Sequence, residues 1–561
     1  MKNQQSFLIK LVLSILIILG SVSENVAQVQ LRDTTISWQH HSFELNSDYS
    51  IKTYSTNDND IDTIVFKTAK VIENSLIRLV LIPEYGGRIL SFVYKPTGHE
   101  YLYQSECGSA YNIESGIFYY DWLMVYGGIF PTFPEPEHGK TWLLPWDFSV
   151  LKQSSDTITI RMEYTDTTSY SRAPLTYNNG TTAITCQVDV SVFSKSTMWD
   201  FNVRLINNKN ENVKYEYWTC TTLTPGSEIG NTGSPLNSEI IIPIEKYFAG
   251  WSPRSWIGNN NSTYDLSRIN LLDEWSDMGI AYAENFQGNY WGVINHENEE
   301  GVFRVCDNNE TRGLKLWTWG RNNIDNNLFD FSNGGADNYI ELWAGVSESF
   351  FTDASIGPNQ EITWNESYCP TVNLSSICSM NQIGAVDLEW VPEKSEAKYT
   401  LNTFNADRNY AVELAIEGSS LQHSITSHQV KFEPNGQSRM FSLDSLNLTD
   451  GVYTLSFNMY DSESNLVLSA EKIIEINTAS IRNTRQTNDN LIVSQIDRNK
   501  FRLEVRNSAK FKYKVMSISG STYLTGSSDY PSNSISIRTP GLYLIEVKHD
   551  DQISIMKVMV E

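Results

Sequence analysis

With 561 residues, the chain is long enough for two to four domains at roughly 100–200 residues each. Its 66 Asp plus Glu against 42 Lys plus Arg leave a formal charge of -24, which argues against nucleic acid or an anionic membrane surface as a partner. Aromatics at 12% exclude a wholly disordered chain, and six Cys are too few for a small disulfide scaffold.

Residues 1–27 read as a secretory signal peptide. Lys2 and Lys10 lie around or inside an apolar run over 7–19, and Gly20, Ser21, Ser23 and Ala27 follow. That run is short for a span of about 20 residues, and no later segment approaches that length. The mature chain is therefore expected to be exported, with no transmembrane span. Export permits disulfides among Cys107, Cys186, Cys220, Cys306, Cys369 and Cys378, and Cys369 and Cys378 are close enough in sequence to close a small loop. The spacings match no zinc pattern. The acidic stretch 57–62 lacks the full ligand spacing of a calcium loop, so no metal or cofactor is assigned, Ca²⁺ included.

Residues 28–368 hold every Trp but Trp390 and read as nearly all β. Apolar and polar residues alternate over 158–162, 186–193 and 199–205, between clusters of Asn, Asp, Gly, Ser and Pro. A strand over 77–82 runs into Gly86-Gly87, then into a second strand from Arg88. Tyr119, Tyr120, Trp122 and Tyr126 surround Asp121. His138-Gly139-Lys140-Thr141-Trp142 follows a polar loop. Trp251, Arg254 and Trp256 share a loop, and Arg268, Arg312, Lys315 and Arg321 add further cations. A late strand carries Tyr339, Glu341 and Trp343 on one face.

Residues 369–478 are strand-like and poor in aromatics, with a turn at 448–451, and suit one immunoglobulin-like β-sandwich. A polar linker covers 479–490. Residues 491–561 form another small β unit, ending in strand-like runs over 541–547 and 553–560.

Two parts resemble known families. The Gly-Gly-Arg-Ile hairpin at 86–89, the Thr97-Gly98 turn, His138-Gly139 with Trp142, and Glu341 together resemble galactose-mutarotase-like domains. This family includes aldose epimerases and polysaccharide lyases. The resemblance covers roughly 65–355 and implies a large antiparallel supersandwich with an open sugar cleft. It also implies His138 as acid and Glu341 as base. The epimerases use a second His between these two. Only His296 lies there, and its context does not match. The last 70 or so residues resemble the C-terminal sorting domain of the type IX secretion system of Bacteroidota, which implies passage across the outer membrane to the cell surface or the medium.

The expected fold is all-β: a supersandwich followed by two small β-sandwiches. Aromatic rings pack on the C–H faces of pyranoses, and Arg binds carboxylate or sulfate bidentately. Arg88, Tyr119, Trp122, Lys140, Trp142, Trp251, Arg254 and Trp256 are the candidate substrate-binding residues. For Arg88 a structural ion-pair role is the slightly favoured reading, and most Trp read as core. An exported mutarotase has a weak rationale, because anomers interconvert spontaneously. A lyase on an acidic, uronate-rich or sulfated polysaccharide such as ulvan or alginate is favoured. His138, Glu341, Tyr120 and Arg321 are its candidate catalytic residues, since β-elimination needs a base, an acid and a cation for the carboxylate. A glycoside hydrolase, an aldose epimerase and a non-catalytic glycan-binding protein stay open. The expected partners are an extracellular polysaccharide and the type IX machinery.

Overall fold

The computed structural model describes residues 28–41, 43–45, 51–54, 61–104, 127–135, 138–142, 144–167, 181–229, 237–249, 263–264, 272, 275, 279–320, 339–418, 422–443, 446, 448–476, 486–488, 491–497, 500–505, 510–517, 522–537, 539, 541–549 and 552–560. Two antiparallel sheets form the large unit. A 12-stranded sheet runs from Gln30–His41 through Ile61–Glu73, Ile77–Ile82, Arg88–Tyr94, His99–Leu102, Trp218–Ser227, Ile340–Gly345, Gly313–Thr318, Gly279–Phe286 and Ile244–Ala249 to Thr263–Tyr264. Ile129–Thr132 pairs with its middle. An 8-stranded sheet runs from Ser238–Ile241 through Tyr290–Asn295, Glu300–Val305, Glu361–Val372, Trp199–Asn207, Ile184–Phe193 and Thr157–Thr165 to Asp147–Gln153.

Strand alternation decides which face meets the core. Leu79, Leu81, Leu314, Leu316, Ile340 and Leu342 from the first sheet pack with Ile158, Ile160, Val188, Val190, Phe201 and Val203 from the second. Each such side chain contributes about 1.5–3 kcal/mol by leaving water. Because neighbours along a strand point to opposite faces, the residues between these project from the far side of the 12-stranded sheet. There a second cluster gathers Tyr85, Phe130, Trp142, Trp218, Cys220, Tyr282, Trp343 and Phe350.

Two smaller sandwiches follow. In the first, two 4-stranded sheets over 379–476 enclose Val386, Leu388, Tyr399, Val412, Leu414, Leu455 and Phe457. In the second, two 4-stranded sheets over 486–560 enclose Phe501, Leu503, Val515, Ile545 and Val547. The described residues are thus all-β, a large antiparallel sandwich followed in the chain by two small ones. Among the described residues the one named helix is the short 3-10 turn Pro392–Lys394.

The structure adds what alternation does not reveal. The module beginning at 379 is docked on the outer face of the 8-stranded sheet: Ile377, Met380, Ala385 and Phe404 pack with Tyr290, Ile294, Phe303 and Cys369. Asn402 ties the joint by accepting from the Val372 N–H at 2.9 Å and donating to its carbonyl at 3.0 Å. Part of the polar linker, Gln486–Asn488, is itself a strand. The disulfide expectation needs correction. Cys186, Cys220, Cys306, Cys369 and Cys378 are all free thiols. Cys369 lies in the docking core, while the Cys378 thiol donates to the Asp387 carboxylate at 3.2 Å, so the proposed small loop is not closed. Cys107 lies outside the described residues.

Candidate active site

The far face of the 12-stranded sheet brings His138 and Glu341 into one cluster. Register does most of the work. Lys315 pairs with Trp343, Trp317 with Glu341, Cys220 with Trp343 and Phe130 with Cys220, so these side chains form one patch across four strands. Trp218 lies over Gly345 and Gly313, and a Cβ at either glycine would overlap its indole. Small residues there let the Trp218 ring lie flat and form the floor.

The His138 loop closes over this patch. Gly139 has a φ of 72°, and a Cβ on it would overlap the Phe133 backbone, so glycine is required beside the histidine. The Lys140 N–H and Thr141 hydroxyl donate to the Phe133 carbonyl at 3.1 and 3.0 Å. Trp146 Nε1 donates to the Thr141 carbonyl at 3.1 Å. Lys140 itself turns away from the patch. Its Nζ lies 3.2 Å from Asp166, with 2% and 0% of the two side chains exposed. Asp166 also accepts from the Thr182 N–H and hydroxyl at 2.7 and 2.8 Å. Lys140 therefore anchors the loop from below.

His138 sits among rings, with centroids 5.2 Å from Trp142, 5.2 Å from Trp343 and 6.3 Å from Phe130. Burial, then Lys315, then Arg88 push its pKa well below the usual histidine value. The imidazole is therefore neutral near pH 7 and can accept a proton. Glu341, 6% exposed, accepts from Trp343 Nε1 at 2.7 Å, and Lys315 Nζ lies 3.8 Å from the same oxygen.

Arg88 is the least compensated group of the cluster. It is fully buried, its Nη1 donates to the Gly127 carbonyl, and its guanidinium lies 3.9 Å from the Phe130 centroid and 5.6 Å from that of Trp142. Its Nε and Nη2 have no hydrogen-bond partner among the described residues, and no carboxylate among them pairs with it. Burial pushes its pKa down to about 9, which still leaves it charged at pH 7. The alternative of a structural ion-pair role finds no carboxylate among the described residues.

Of the expected site residues, His138, Glu341, Arg88 and Trp142 come together, and Lys140 lies beneath them. Tyr119, Tyr120, Trp122, Trp251, Arg254, Trp256 and Arg321 lie outside the described residues. His296 lies in the turn after Tyr290–Asn295 of the other sheet. Its Nε2 is 2.6 Å from Glu239 and its Nδ1 3.4 Å from Glu299. These carboxylates raise its pKa, and it is not a member of the patch. Lys315 is the residue that sequence reasoning placed only among scattered cations. Its position between Leu314 and Leu316, two residues after Gly313, was the available signal.

A family profile described as a domain of unknown function (DUF5107) matches residues 43–211, which include Arg88, His138 and Trp142 but not Lys315 or Glu341. Among solved structures, the chain is similar to a TPR-domain containing protein from Parabacteroides distasonis, at 15% identity and a TM-score of 0.48. That match covers 62% of this chain and 56% of the other. It is also similar to a galactose mutarotase related enzyme from Lactobacillus acidophilus, at 14% identity and a TM-score of 0.37, over 55% of this chain and 99% of the other. A galactose mutarotase-like protein from Clostridium acetobutylicum matches at 11% identity and a TM-score of 0.39, over 54% and 96%. All three scores fall below 0.5, so the description of the fold rests on the sheets themselves.

Proposed function

We propose that this chain is an exported carbohydrate-active enzyme that cleaves a uronate-containing polysaccharide by β-elimination. The observation that carries the reading is Arg88. A buried guanidinium with two nitrogens unpartnered and no carboxylate beside it among the described residues is costly on its own, and an acidic group of a substrate would repay that cost. The rings of Trp142, Phe130 and Trp343 offer apolar surface for a pyranose beside it.

The chemistry assigns roles as follows. Arg88 holds the uronate carboxylate and offsets the charge that builds there. A base takes the proton α to that carboxylate. The C–H electrons form the C4–C5 double bond, the C4–O bond breaks, and the leaving oxygen takes a proton. A neutral His138 suits the base role. Its depressed pKa disfavours the acid role that the epimerase resemblance implies. Glu341 is the second proton-transfer group of the site, and Tyr120 and Arg321, outside the described residues, are retained as candidates for the acid and a further cation. Residues 1–27 would direct export and residues 491–561 passage through the type IX machinery; the apolar run and the terminal strand pattern support this.

The test is incubation of the purified protein with a panel of uronate polysaccharides while ultraviolet absorbance of unsaturated ends is followed. A rise with one polymer supports the proposal. A flat trace with release of reducing ends would replace it by hydrolysis, and neither signal would leave a binding protein.

A further inference from the structure

Alternation along Glu361–Val372 sends Trp364 and Tyr368 into the main core and turns Asn365, Ser367 and Cys369 outward, toward the module docked on the 8-stranded sheet. At this joint lies a cavity of about 470 Å³. Its size falls in the range of roughly 300–1,000 Å³ usual for small-ligand sites, which favour such joints. Val305 and Cys306 are its buried wall and Ile383 is half-buried, while Asp307, Glu310 and Gln382 stand exposed. The amide nitrogen of Asn365 donates to Ser367 Oγ at 3.2 Å, but its enclosed oxygen has no donor among the described residues. A buried acceptor left so is costly until a donor reaches it. The other polar walls are held in place beforehand. Asn381 accepts from the Ile383 N–H at 2.8 Å and donates to the Val467 carbonyl at 2.7 Å, and Asp307 accepts from the Asn309 N–H at 2.9 Å.

We propose that this cavity is a second carbohydrate site, which takes an uncharged sugar unit between the large sandwich and the module at 379–476. Among the described residues no Lys, Arg or His lines it, while Asp307 and Glu310 bring two carboxylates. An acidic ligand would meet like charge there with no cation to hold it. An uncharged sugar suits the walls on both counts. Its hydroxyls donate to the Asn365 oxygen and the two carboxylates, and its C–H face lies on Val305 and Ile383. The ligand touches both modules, because Asn381, Gln382 and Ile383 come from one and the remaining walls from the other. This goes beyond the β-elimination reading and takes from it only that the chain handles sugars. The two sites have opposite charge: Arg88 suits an acidic unit, and Asp307 with Glu310 an uncharged one.

The test uses the full chain with two reporter thiols, Gln382→Cys on the docked module and Glu310→Cys on the large sandwich, both at exposed positions. Alkylation of each by iodoacetamide is followed by peptide mass with galactose, glucose, mannose or galacturonate present. At about ten times its Kd, one of the neutral sugars should slow both reporters about tenfold, and galacturonate should slow neither. In the Gln382→Cys background, Glu310→Lys should make galacturonate protective, because it supplies the missing cation. No protection by any neutral sugar, or protection of one reporter alone, would overturn the bridging site. Equal protection by galacturonate and a neutral sugar would overturn the charge argument and the proposal with it. Galacturonate binding to the wild-type chain is measured separately by calorimetry. Its absence beside intact protection by a neutral sugar would sink the acidic-sugar reading and spare this site, and its presence with unprotected reporters would do the reverse.

Discussion

Asp166→Asn isolates the charge of the anchor beneath the His138 loop. Asparagine keeps an oxygen for the Thr182 donors, so the loss is the counter-charge of Lys140, which stays 2% exposed. Breaking a buried ion pair from one side costs about 3–5 kcal/mol, because the remaining buried charge loses its counter-charge. Replacing both partners by neutral groups removes that penalty. Asp166→Asn combined with Lys140→Met should therefore recover most of the lost stability, although neither pair member survives. Urea unfolding of the full chain, followed by the fluorescence of its 15 Trp, reads this. The order expected is wild type and double variant close together, with Asp166→Asn well below. A single variant within about 1 kcal/mol of wild type, or a double variant as unstable as the single, would refute the buried-anchor reasoning.

Further outcomes follow from the same geometry. Arg88→Met should weaken galacturonate binding far more than galactose binding, by about tenfold or more, read by calorimetry; equal losses would make Arg88 a packing residue. Gly345→Ala should destabilise the large sandwich by about 1–3 kcal/mol, because its Cβ overlaps the Trp218 indole, and thermal unfolding checks it. Because His138 has a folded pKa below its unfolded value, the unfolded chain binds the extra proton first. Its contribution is present above about pH 6.5 and is lost as pH falls below that value toward the depressed folded pKa. His138→Gln should therefore lose less stability than wild type between neutral and mildly acidic pH, measured by urea midpoints across that range.

Much of the strand pattern was legible. The expected strand over 186–193 is Ile184–Phe193, and the hairpin about Gly86-Gly87 is the turn between Ile77–Ile82 and Arg88–Tyr94. One-sided burial imposes a period of two that survives in the sequence. The shared face of Glu341 and Trp343 was legible for the same reason. What alternation cannot show is whether the far face of a sheet is wet. Lys315 reads as a solvent residue until Phe350 and Trp343 cover it. Lys140 reads as a cation near the sugar until Asp166, far along the chain, claims it. Cys369 and Cys378 are near in sequence but on elements whose packing separates their roles.

The most direct test of the central claim is the mass of the product that the wild-type chain releases from the polymer it cleaves, with His138→Gln in parallel. β-Elimination predicts a fragment one water lighter than the hydrolytic product from wild type and none from the variant. A hydrated fragment, or an unsaturated one that the variant makes at the wild-type rate, would contradict the account.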